Sequence, residues 1–303
     1  MTKGRRRTTR DADHESFDTA YDAIMARWPD GTESLTVPTP YGPTRVHACG
    51  PRGAPPLVLL PGGGATSAGW YALAAELSKT HRVFAVDLVG DAGHSAPDPQ
   101  RPVRSVGDLT AWLDALLDGL SIGLPSGPPV DLCGHSYGAW IALHYALHAP
   151  TRVRRTVLLD PTGCFAGFRA SYLLRALPML LRPSARRVRR FLEWETAGGA
   201  PLDPALLRLQ ERAAVLPAVR PVTGPRPDPA ALRGLRCPVL LLLAGDGRAH
   251  DPHRVAARAS AVLPEVTATV LPGVSHHVLP YAMHADVHGR TAAFLGPLSR
   301  PSR

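Results

Sequence analysis

A serine flanked by glycines is the residue whose surroundings most clearly suggest chemistry. Residues 134–138 read Gly-His-Ser-Tyr-Gly and lie between an apolar, strand-like run and a helical pattern. In that context the glycines are typical of a tight strand-to-helix turn, because larger side chains do not fit there. The turn strains the backbone of Ser136 and exposes its hydroxyl, and the helix N-terminus favours the negative charge of acyl transfer. Ser136 is therefore the predicted nucleophile.

A serine hydroxyl becomes a good nucleophile only when a neutral imidazole accepts its proton. His276 lies in a Gly-Val-Ser-His turn after the last strand-like run, from which its ring can reach Ser136 over the edge of a sheet. The adjacent His277 is the rival candidate. The position directly after Gly-Val-Ser makes His276 the predicted general base.

Three aspartates could orient that imidazole. Asp160 and Asp246 each follow a strand-like run, and Asp251 stands further along the second of these loops, before a helical pattern. Asp251 also fits a plain helix N-cap, with Pro252 in the first helical position. We predict Asp251 as the orienting acid, because a loop of this length can fold a carboxylate back toward His276. Asp246 and Asp160 remain open as alternatives.

The oxyanion of a tetrahedral intermediate needs two preorganised N–H donors. The backbone N–H of Tyr137, next to the nucleophile, is one predicted donor. The Pro-Gly-Gly-Gly run at 61–64 predicts the N–H of Gly63 as the second donor, with Gly64 and Ala65 as alternatives. A simple tight turn is the other interpretation of these glycines.

Other groupings of histidines and glycines predict neither a metal site nor a cofactor. Two histidine pairs have the i,i+4 spacing of metal ligands without the glutamate of an HExxH motif, namely His144 with His148 and His284 with His288. The glycines at 62–64 are not followed by Gly-Lys-Ser/Thr and do not form GxGxxG. Phosphate or dinucleotide binding is therefore not predicted.

The composition is that of a globular chain. It has 303 residues, 45% of them hydrophobic, and no run approaches the ~18 apolar residues that span a bilayer, so no membrane span is predicted. The net charge is +9, but aromatic residues are not interleaved with the basic ones, and we predict no nucleic acid partner. A group of arginines in the middle of the chain is interpreted as a solvated helix face: Arg186, Arg187, Arg189 and Arg190.

The cysteines and the first residues predict a cytoplasmic location. Cys49, Cys133, Cys164 and Cys237 are far apart and form no CxxC pair, so no disulfide framework is indicated. The basic cluster in the first ten residues is followed by Asp-Ala-Asp-His-Glu rather than by the apolar stretch of a secretion signal.

Strand-like and helical patterns alternate along most of the chain, which predicts right-handed βαβ units and a parallel sheet. The predicted strands are 57–60, 82–86, 129–133, 155–159, 237–243 and 266–271, and the predicted helices between them include 66–79, 106–120, 139–148 and 252–262. The predicted organisation is a disordered tail and lead-in (1–34), a core (35–160 and 237–298), a Leu/Arg-rich helical insertion (161–236) and a short tail (299–303).

From residue 57 to residue 295 the chain resembles the α/β-hydrolase fold superfamily. Residues 61–64 are similar to its oxyanion loop, with proline for histidine, and residues 273–276 to its Gly-x-Gly-His motif. Residues 87–95 are similar to its Asp-x-x-Gly-x-Gly-x-Ser segment, with one extra residue. The position that matches the family's usual acid is Arg248, which cannot accept a hydrogen bond from imidazole.

Within that superfamily the chain resembles small bacterial carboxylesterases with a helical lid. The resemblance implies a doubly wound, mostly parallel sheet with a helical lid inserted after the sixth strand. It also implies a serine hydrolase that cleaves a small carboxylic ester through an acyl-enzyme on Ser136, without a cofactor. The alternatives are a cofactor-free lyase or perhydrolase with the same triad, and a non-catalytic binding protein of this fold.

The helical insertion is expected to cover the substrate pocket and to open and close over it. A mostly apolar pocket lining predicts uncharged, medium-sized acyl or aryl esters as substrates. The lining is expected to come from Phe165, Phe168, Tyr172, Leu173, Leu177, Met179, Leu180 and Trp194.

Overall fold

The computed structural model describes residues 9–217, 221–281 and 285–296, which form an eight-stranded sheet with surrounding helices. The strands are β1 (Glu33–Val37), β2 (Thr44–Cys49), β3 (Pro56–Leu60), β4 (Arg82–Val86), β5 (Val130–His135), β6 (Val153–Leu159), β7 (Val239–Ala244) and β8 (Val266–Leu271). Their order is β1-β2-β4-β3-β5-β6-β7-β8, with β1 and β2 antiparallel to their neighbours and β3 to β8 parallel. The predicted doubly wound, mostly parallel sheet is confirmed.

The helices alternate with the parallel strands and cover both faces of the sheet. They are α1 (Thr9–Met25), α2 (Tyr71–Leu77), α3 (Val106–Gly119), α4 (Tyr137–His148), α5 (Ala170–Leu181), α6 (Ala185–Thr196), α7 (Pro204–Ala213), α8 (Pro229–Arg233), α9 (Pro252–Val262) and α10 (Ala285–Leu295). A 3-10 turn, Ser67–Trp70, precedes α2, so the predicted helix over 66–79 is shorter than expected. The predicted bounds of β4, β8 and α9 agree with the structure.

The strands β3 and β7 are apolar at every position because both of their faces are buried. In β3, Val58 and Leu60 pack on the face covered by α3, α4 and α9, whereas Leu57 and Leu59 pack on the face covered by α2 and α10. Successive side chains of a strand point to opposite faces, so one apolar run supplies two cores. The sheet is thereby a rigid frame, and the carboxyl ends of its parallel strands lie along one edge.

The N-terminal part of the chain differs from its prediction. Residues 9–25 form the helix α1, and its Phe17, Tyr21 and Ile24 are buried at helical spacing. The hydroxyl of Tyr21 donates a hydrogen bond to Asp87 (3.0 Å) and lies 2.8 Å from the hydroxyl of Ser67. The predicted disorder of 1–34 is therefore wrong for residues 9–34. Residues 1–8 and the predicted tail at 299–303 lie outside the described residues.

The segment between β6 and β7, over which the insertion is predicted, contains helices α5 to α8. Its apolar side chains pack with α1 in a third buried cluster, which includes Tyr172, Val188, Phe191, Leu206 and Leu209. The insertion thus shares a core with the N-terminal helix that the sequence analysis missed. Its opening and closing stay a prediction. Among the described residues no helix is both long enough and apolar enough to cross a bilayer.

Candidate active site

Ser136 occupies the turn between β5 and α4, at the carboxyl edge of the sheet. Its backbone has φ 51° and ψ −111°, a strained conformation for a residue with a side chain. The glycines of the motif permit the turn: a Cβ atom on Gly138 would lie 2.1 Å from the carbonyl oxygen of Leu60, and one on Gly134 would lie 2.3 Å from the carbonyl oxygen of Gly138. The backbone of β3 and the turn therefore approach too closely for any other residue.

Gly138→Ala is expected to lower the free energy of unfolding by roughly 3 kcal/mol, because the added methyl group overlaps backbone atoms that cannot move aside. Urea unfolding followed by circular dichroism measures the loss. Gly289→Ala is the matched control, because nothing lies within 4 Å of its added methyl group. That control should keep the wild-type stability or gain up to about 1 kcal/mol of helix propensity. Equal stability of the two variants would contradict the close approach.

A chain of hydrogen bonds joins Ser136, His276 and Asp160. The hydroxyl Oγ of Ser136 lies 2.9 Å from Nε2 of His276, and Nδ1 of the same ring lies 2.6 Å from Oδ2 of Asp160. The three residues follow β5, β8 and β6, whose carboxyl ends share one edge of the sheet. The hydroxyl of Ser136 also lies 3.4 Å from that of Thr162. The structure thus brings together the predicted nucleophile, the predicted base and a carboxylate.

That carboxylate belongs to Asp160, so the prediction of Asp251 is corrected. Asp251 is exposed, and its side chain accepts a hydrogen bond from the N–H of Arg254 (3.1 Å) as the N-cap of α9. The loop runs directly into the helix, which holds this carboxylate in the capping position. Asp246 is exposed as well.

Asp160 is fully buried and has three hydrogen-bond partners. Besides His276, its carboxylate accepts from the N–H of Ala244 (3.1 Å) and lies 3.0 Å from Nε2 of His250. Burial raises the pKa of Asp160, but the charges and hydrogen bonds of His250 and His276 outweigh it and hold the pKa far below its usual range. Asp160 is therefore ionised throughout the neutral range. The sequence analysis did not single out His250.

His276 is buried within a group of charged and polar partners. Burial lowers the pKa of its imidazole. The hydrogen bond and charge of Asp160 and the charge of Glu195 outweigh that effect, so the pKa of His276 is raised above the usual 6.5. Its backbone carbonyl lies 3.0 Å from Nε2 of His135, which must be the donor because a carbonyl oxygen only accepts. Burial also holds the pKa of His135 well below 6.5, so that ring is neutral.

Glu195 of α6 is a second buried carboxylate at the histidine turn. Its side chain has no solvent exposure and accepts from the backbone N–H of His276 (3.0 Å) and of His277 (3.2 Å). It also lies 3.1 Å from Nδ1 of His277. Burial raises the pKa of Glu195, but the hydrogen bond and charge of His277 and the charge of His276 lower it to about 2. The insertion therefore holds the histidine turn through a buried negative charge.

Glu195 was not predicted from the sequence, although one signal was present. Val188, Phe191, Leu192 and Glu195 are spaced i, i+3, i+4 and i+7 on the buried face of α6. A carboxylate on the apolar face of a helix needs a buried partner, and this position therefore marks a contact with another polar group. His277, the rival to His276, is that partner.

The loop at 61–64 lies against the turn that carries the nucleophile. A Cβ atom on Gly63 would lie 3.8 Å from the Cβ atom of Tyr137. The N–H of Gly64 donates to the carboxylate of Asp91 (2.9 Å), and the N–H of Ala65 donates to the carbonyl of Gly62 (3.0 Å). Two of the three alternative oxyanion donors thus have acceptors within the chain. Gly63 and Tyr137 stay the predicted donors.

Comparison with known proteins identifies the family. Residues 57–290 match the profile of the Alpha/beta hydrolase family. The chain belongs to this family. It is 31% identical over 295 residues to the uncharacterized carboxylesterase nap of Bacillus subtilis, an alignment that covers 93% of each chain. It is 30% identical over 287 residues to carboxylesterase YbfK of the same organism, covering 92% of this chain and 93% of the relative.

Solved structures of this alpha/beta hydrolase family superpose on the chain. The crystal structure of naproxen esterase from Bacillus subtilis has a TM-score of 0.83 and 28% sequence identity, over 94% of this chain and 98% of that one. The crystal structure of carboxylesterase CesB (YbfK) from Bacillus subtilis has a TM-score of 0.85 and 26% identity, over 95% of this chain and 100% of that one.

A cavity of about 220 Å³ lies beside the nucleophile turn of this hydrolase. Its walls come from the loop after β4, from α3 and α4, and from a short stretch of the insertion; they include Leu88, Asp91, Val103, Tyr137, Ile141 and Val222. None of the eight apolar residues predicted to line the pocket contributes to this cavity. Of the predicted lining, Leu173, Leu177 and Leu180 are exposed on the outer face of α5, whereas the ring of Tyr172 lies 6.5 Å from that of His276, centroid to centroid.

Both histidines of the first pair with metal-ligand spacing have other contacts. The ring of His144 packs edge-on against Trp140, with ring centroids 4.4 Å apart, and His148 lies 3.2 Å from the carboxylate of Asp114. His284 lies outside the described residues. Across residues 9–217, 221–281 and 285–296, no group of three or more His, Cys, Asp and Glu side chains could hold a metal ion.

Proposed function

We propose that this alpha/beta hydrolase cleaves carboxylic esters through an acyl-enzyme on Ser136. The observation that carries the proposal is the continuous chain of hydrogen bonds from Asp160 through His276 to Ser136. Two relatives that align over nine-tenths of the chain are named carboxylesterases, which supports an ester as the substrate. We assign the acyl group to Ser136 because this serine occupies the turn between β5 and α4 and lies within reach of the imidazole that accepts its proton.

In the first half of the reaction, Oγ of Ser136 attacks the ester carbonyl carbon while Nε2 of His276 takes its proton. The N–H groups of Gly63 and Tyr137 stabilise the negative oxygen of the tetrahedral intermediate. Asp160 holds the imidazole by Nδ1 and stabilises its positive charge. His276 then gives the proton to the leaving alkoxide, and the alcohol departs from the acyl-enzyme.

In the second half, water replaces the alcohol. Nε2 of His276 takes a proton from the water, whose oxygen attacks the acyl carbon. The new tetrahedral intermediate collapses, the proton returns to Oγ of Ser136, and the carboxylic acid leaves. Every step uses side chains and N–H groups of the chain itself.

A fluorophosphonate probe and a panel of p-nitrophenyl esters test this proposal together. Covalent labelling of Ser136, located by peptide mass spectrometry, with turnover of at least one ester is the expected result. Labelling without turnover of any ester would overturn the esterase function in favour of a cofactor-free lyase or perhydrolase. Absence of labelling in folded protein would favour a non-catalytic binding protein.

The cavity beside Tyr137 supports neutral esters as substrates. Its lining is mostly apolar, and its charged residues are the aspartates Asp91 and Asp98. A negative charge on the substrate would lie within several ångströms of these carboxylates, at a Coulomb cost on the order of 1–2 kcal/mol. We expect kcat/KM for p-nitrophenyl butyrate to exceed that for the p-nitrophenyl monoester of succinate by about tenfold or more. A preference for the anionic ester would contradict this assignment of the cavity.

Glu195→Gln is expected to move the rising limb of the pH profile of kcat/KM to lower pH. The charge of Glu195 raises the pKa of His276, and only the neutral imidazole accepts a proton. Without that charge the imidazole stays neutral down to a lower pH. Glu193→Gln is the matched control, because it removes an equal charge from an exposed position on the same helix.

The control should keep the wild-type pH profile, since water screens the exposed charge. Glu195→Gln should also lose about 1–3 kcal/mol of stability, because the amide cannot accept all of the hydrogen bonds of the carboxylate. Loss of stability with an unmoved pH profile would show that Glu195 has a purely structural role.

A further inference from the structure

The outer face of α5 carries nearly all of the exposed large apolar side chains among the described residues. Leu174 and Leu181 are each 71% exposed and Leu180 is 64% exposed, and Leu173 and Leu177 are close to half exposed. Phe168, just before the helix, is 41% exposed. Among the other residues that the structure describes, only Val215 has comparable exposure. An apolar face of this extent on a water-exposed helix indicates a surface that another phase or molecule covers.

The helix is anchored by its inner face, so the outer leucines are not a misplaced core. Tyr172 and Ala176 are buried, and the ring of Tyr172 lies 6.5 Å from the ring of His276, centroid to centroid. The leucines at 173, 174, 177, 180 and 181 follow helical spacing and point away from those two residues. The 12-residue helix thus presents a strip about 18 Å long.

Positive charge lies at the C-terminal end of that strip, where Arg182 follows Leu181 and Arg187 donates to the carbonyl oxygen of Arg182. Between Gly167 and Leu192 the sequence contains seven arginines and neither aspartate nor glutamate. Arg189 pairs with Glu211, and Arg175 lies over the ring of Trp194. Four others are exposed at the end of α5 and along α6, namely Arg182, Arg186, Arg187 and Arg190. The strip therefore combines exposed leucines with a cationic border.

We propose that the outer face of α5 docks on an anionic phospholipid surface. A basic amphipathic helix of this kind lies in the plane of a bilayer interface, with leucines at the acyl boundary and arginines at the phosphates. A second copy of the chain fits less well, because a symmetric contact between two such strips would bring the arginine borders against each other. The net charge of +9 of the whole chain acts in the same direction.

Docking would place the lipid surface against the outer face of α5. The inner face of the same helix carries Tyr172, whose ring lies 6.5 Å from that of His276, centroid to centroid. The binding itself is independent of the proposed function. If that function holds, esters that partition into the interface reach the site without crossing bulk water.

Co-sedimentation with vesicles tests the docking. The full chain is expected to bind vesicles of phosphatidylglycerol and phosphatidylcholine, to lose binding at high salt, and to bind pure phosphatidylcholine about tenfold or more weakly. The double variant L174S/L181S and the double variant R186Q/R190Q should each reduce the partition coefficient by about tenfold. Circular dichroism and thermal melting confirm that each variant is folded.

Two control variants separate docking from a general effect of composition. V215S removes an exposed apolar side chain outside α5, and R233Q/R290Q removes two exposed charges elsewhere; both should bind as the wild type does. Equal loss in the controls, or no binding by the wild type, would overturn the proposal. A wild-type dimer that L174S/L181S converts to a monomer, without vesicle binding, would instead assign the strip to a second copy of the chain.

Discussion

Ser136→Ala is expected to lower kcat for ester hydrolysis by about 10⁴-fold or more, because it removes the atom that becomes acylated. Only the hydroxyl is lost, and the backbone at φ 51° carries the same Cβ atom, so the melting temperature should stay close to that of the wild type. Steady-state rates with a p-nitrophenyl ester and labelling by a fluorophosphonate measure the effect.

The matched control for this variant is Ser171→Ala, which removes an exposed hydroxyl on α5. It should keep both the rate and the labelling of the wild type. If purified Ser136→Ala retained more than a tenth of the wild-type rate, with contaminating esterases excluded, Ser136 would not be the nucleophile.

Asp160→Asn is expected to lower kcat by about 10³- to 10⁴-fold, with a much smaller effect on substrate binding. The amide cannot stabilise the imidazolium, and it no longer fixes the ring of His276 with a proton on Nδ1. Asp251→Asn is the matched control, because asparagine is as good an N-cap as aspartate. That control should keep kcat and stability near the wild-type values.

The two variants decide between the competing carboxylates. A large loss in Asp251→Asn with near-normal kcat in Asp160→Asn would contradict the hydrogen bond between Oδ2 of Asp160 and Nδ1 of His276. Large losses in both would show that the loop containing Asp251 shapes the site as well. Comparison of kcat with the unfolding free energy separates catalytic from structural effects.

The position of Asp160 has a physical explanation in the order of the sheet. β6, which it follows, lies next to β5 and is separated from β8 only by β7, so its carboxyl end lies between the serine turn and the histidine turn. Asp160 has a positive φ of 43°, a backbone conformation that residues with a side chain rarely adopt. Asp251 is held by the first turn of α9 instead.

Local sequence patterns were sufficient to predict most of the parallel strands and the helices between them. The apolar runs of β3, β4 and β7 stand out because each is buried on both faces, and the alternation with helices implies the parallel order. The N-terminal strands β1 and β2 and the helix α1 were missed. Glu33, Ser34 and Thr36 make β1 read as polar, since only one face of an edge strand packs on the protein.

Ser136 and His276 were also within reach of the sequence, because each lies in a short motif whose glycines impose a particular turn. Of the carboxylates that contact His276 and its turn, the sequence left Asp160 as one of three candidates and did not indicate Glu195. Asp160 is 116 residues away from His276 in the sequence, and Glu195 is 81 residues away. Neither carboxylate lies in a motif whose pattern predicts a contact with the histidine. Which carboxylates contact the histidine turn depends on which loops meet at the carboxyl edge of the sheet and on how deeply α6 packs. Short-range sequence patterns encode turns and burial periodicity, whereas long-range pairing of buried charges is decided only when the elements pack.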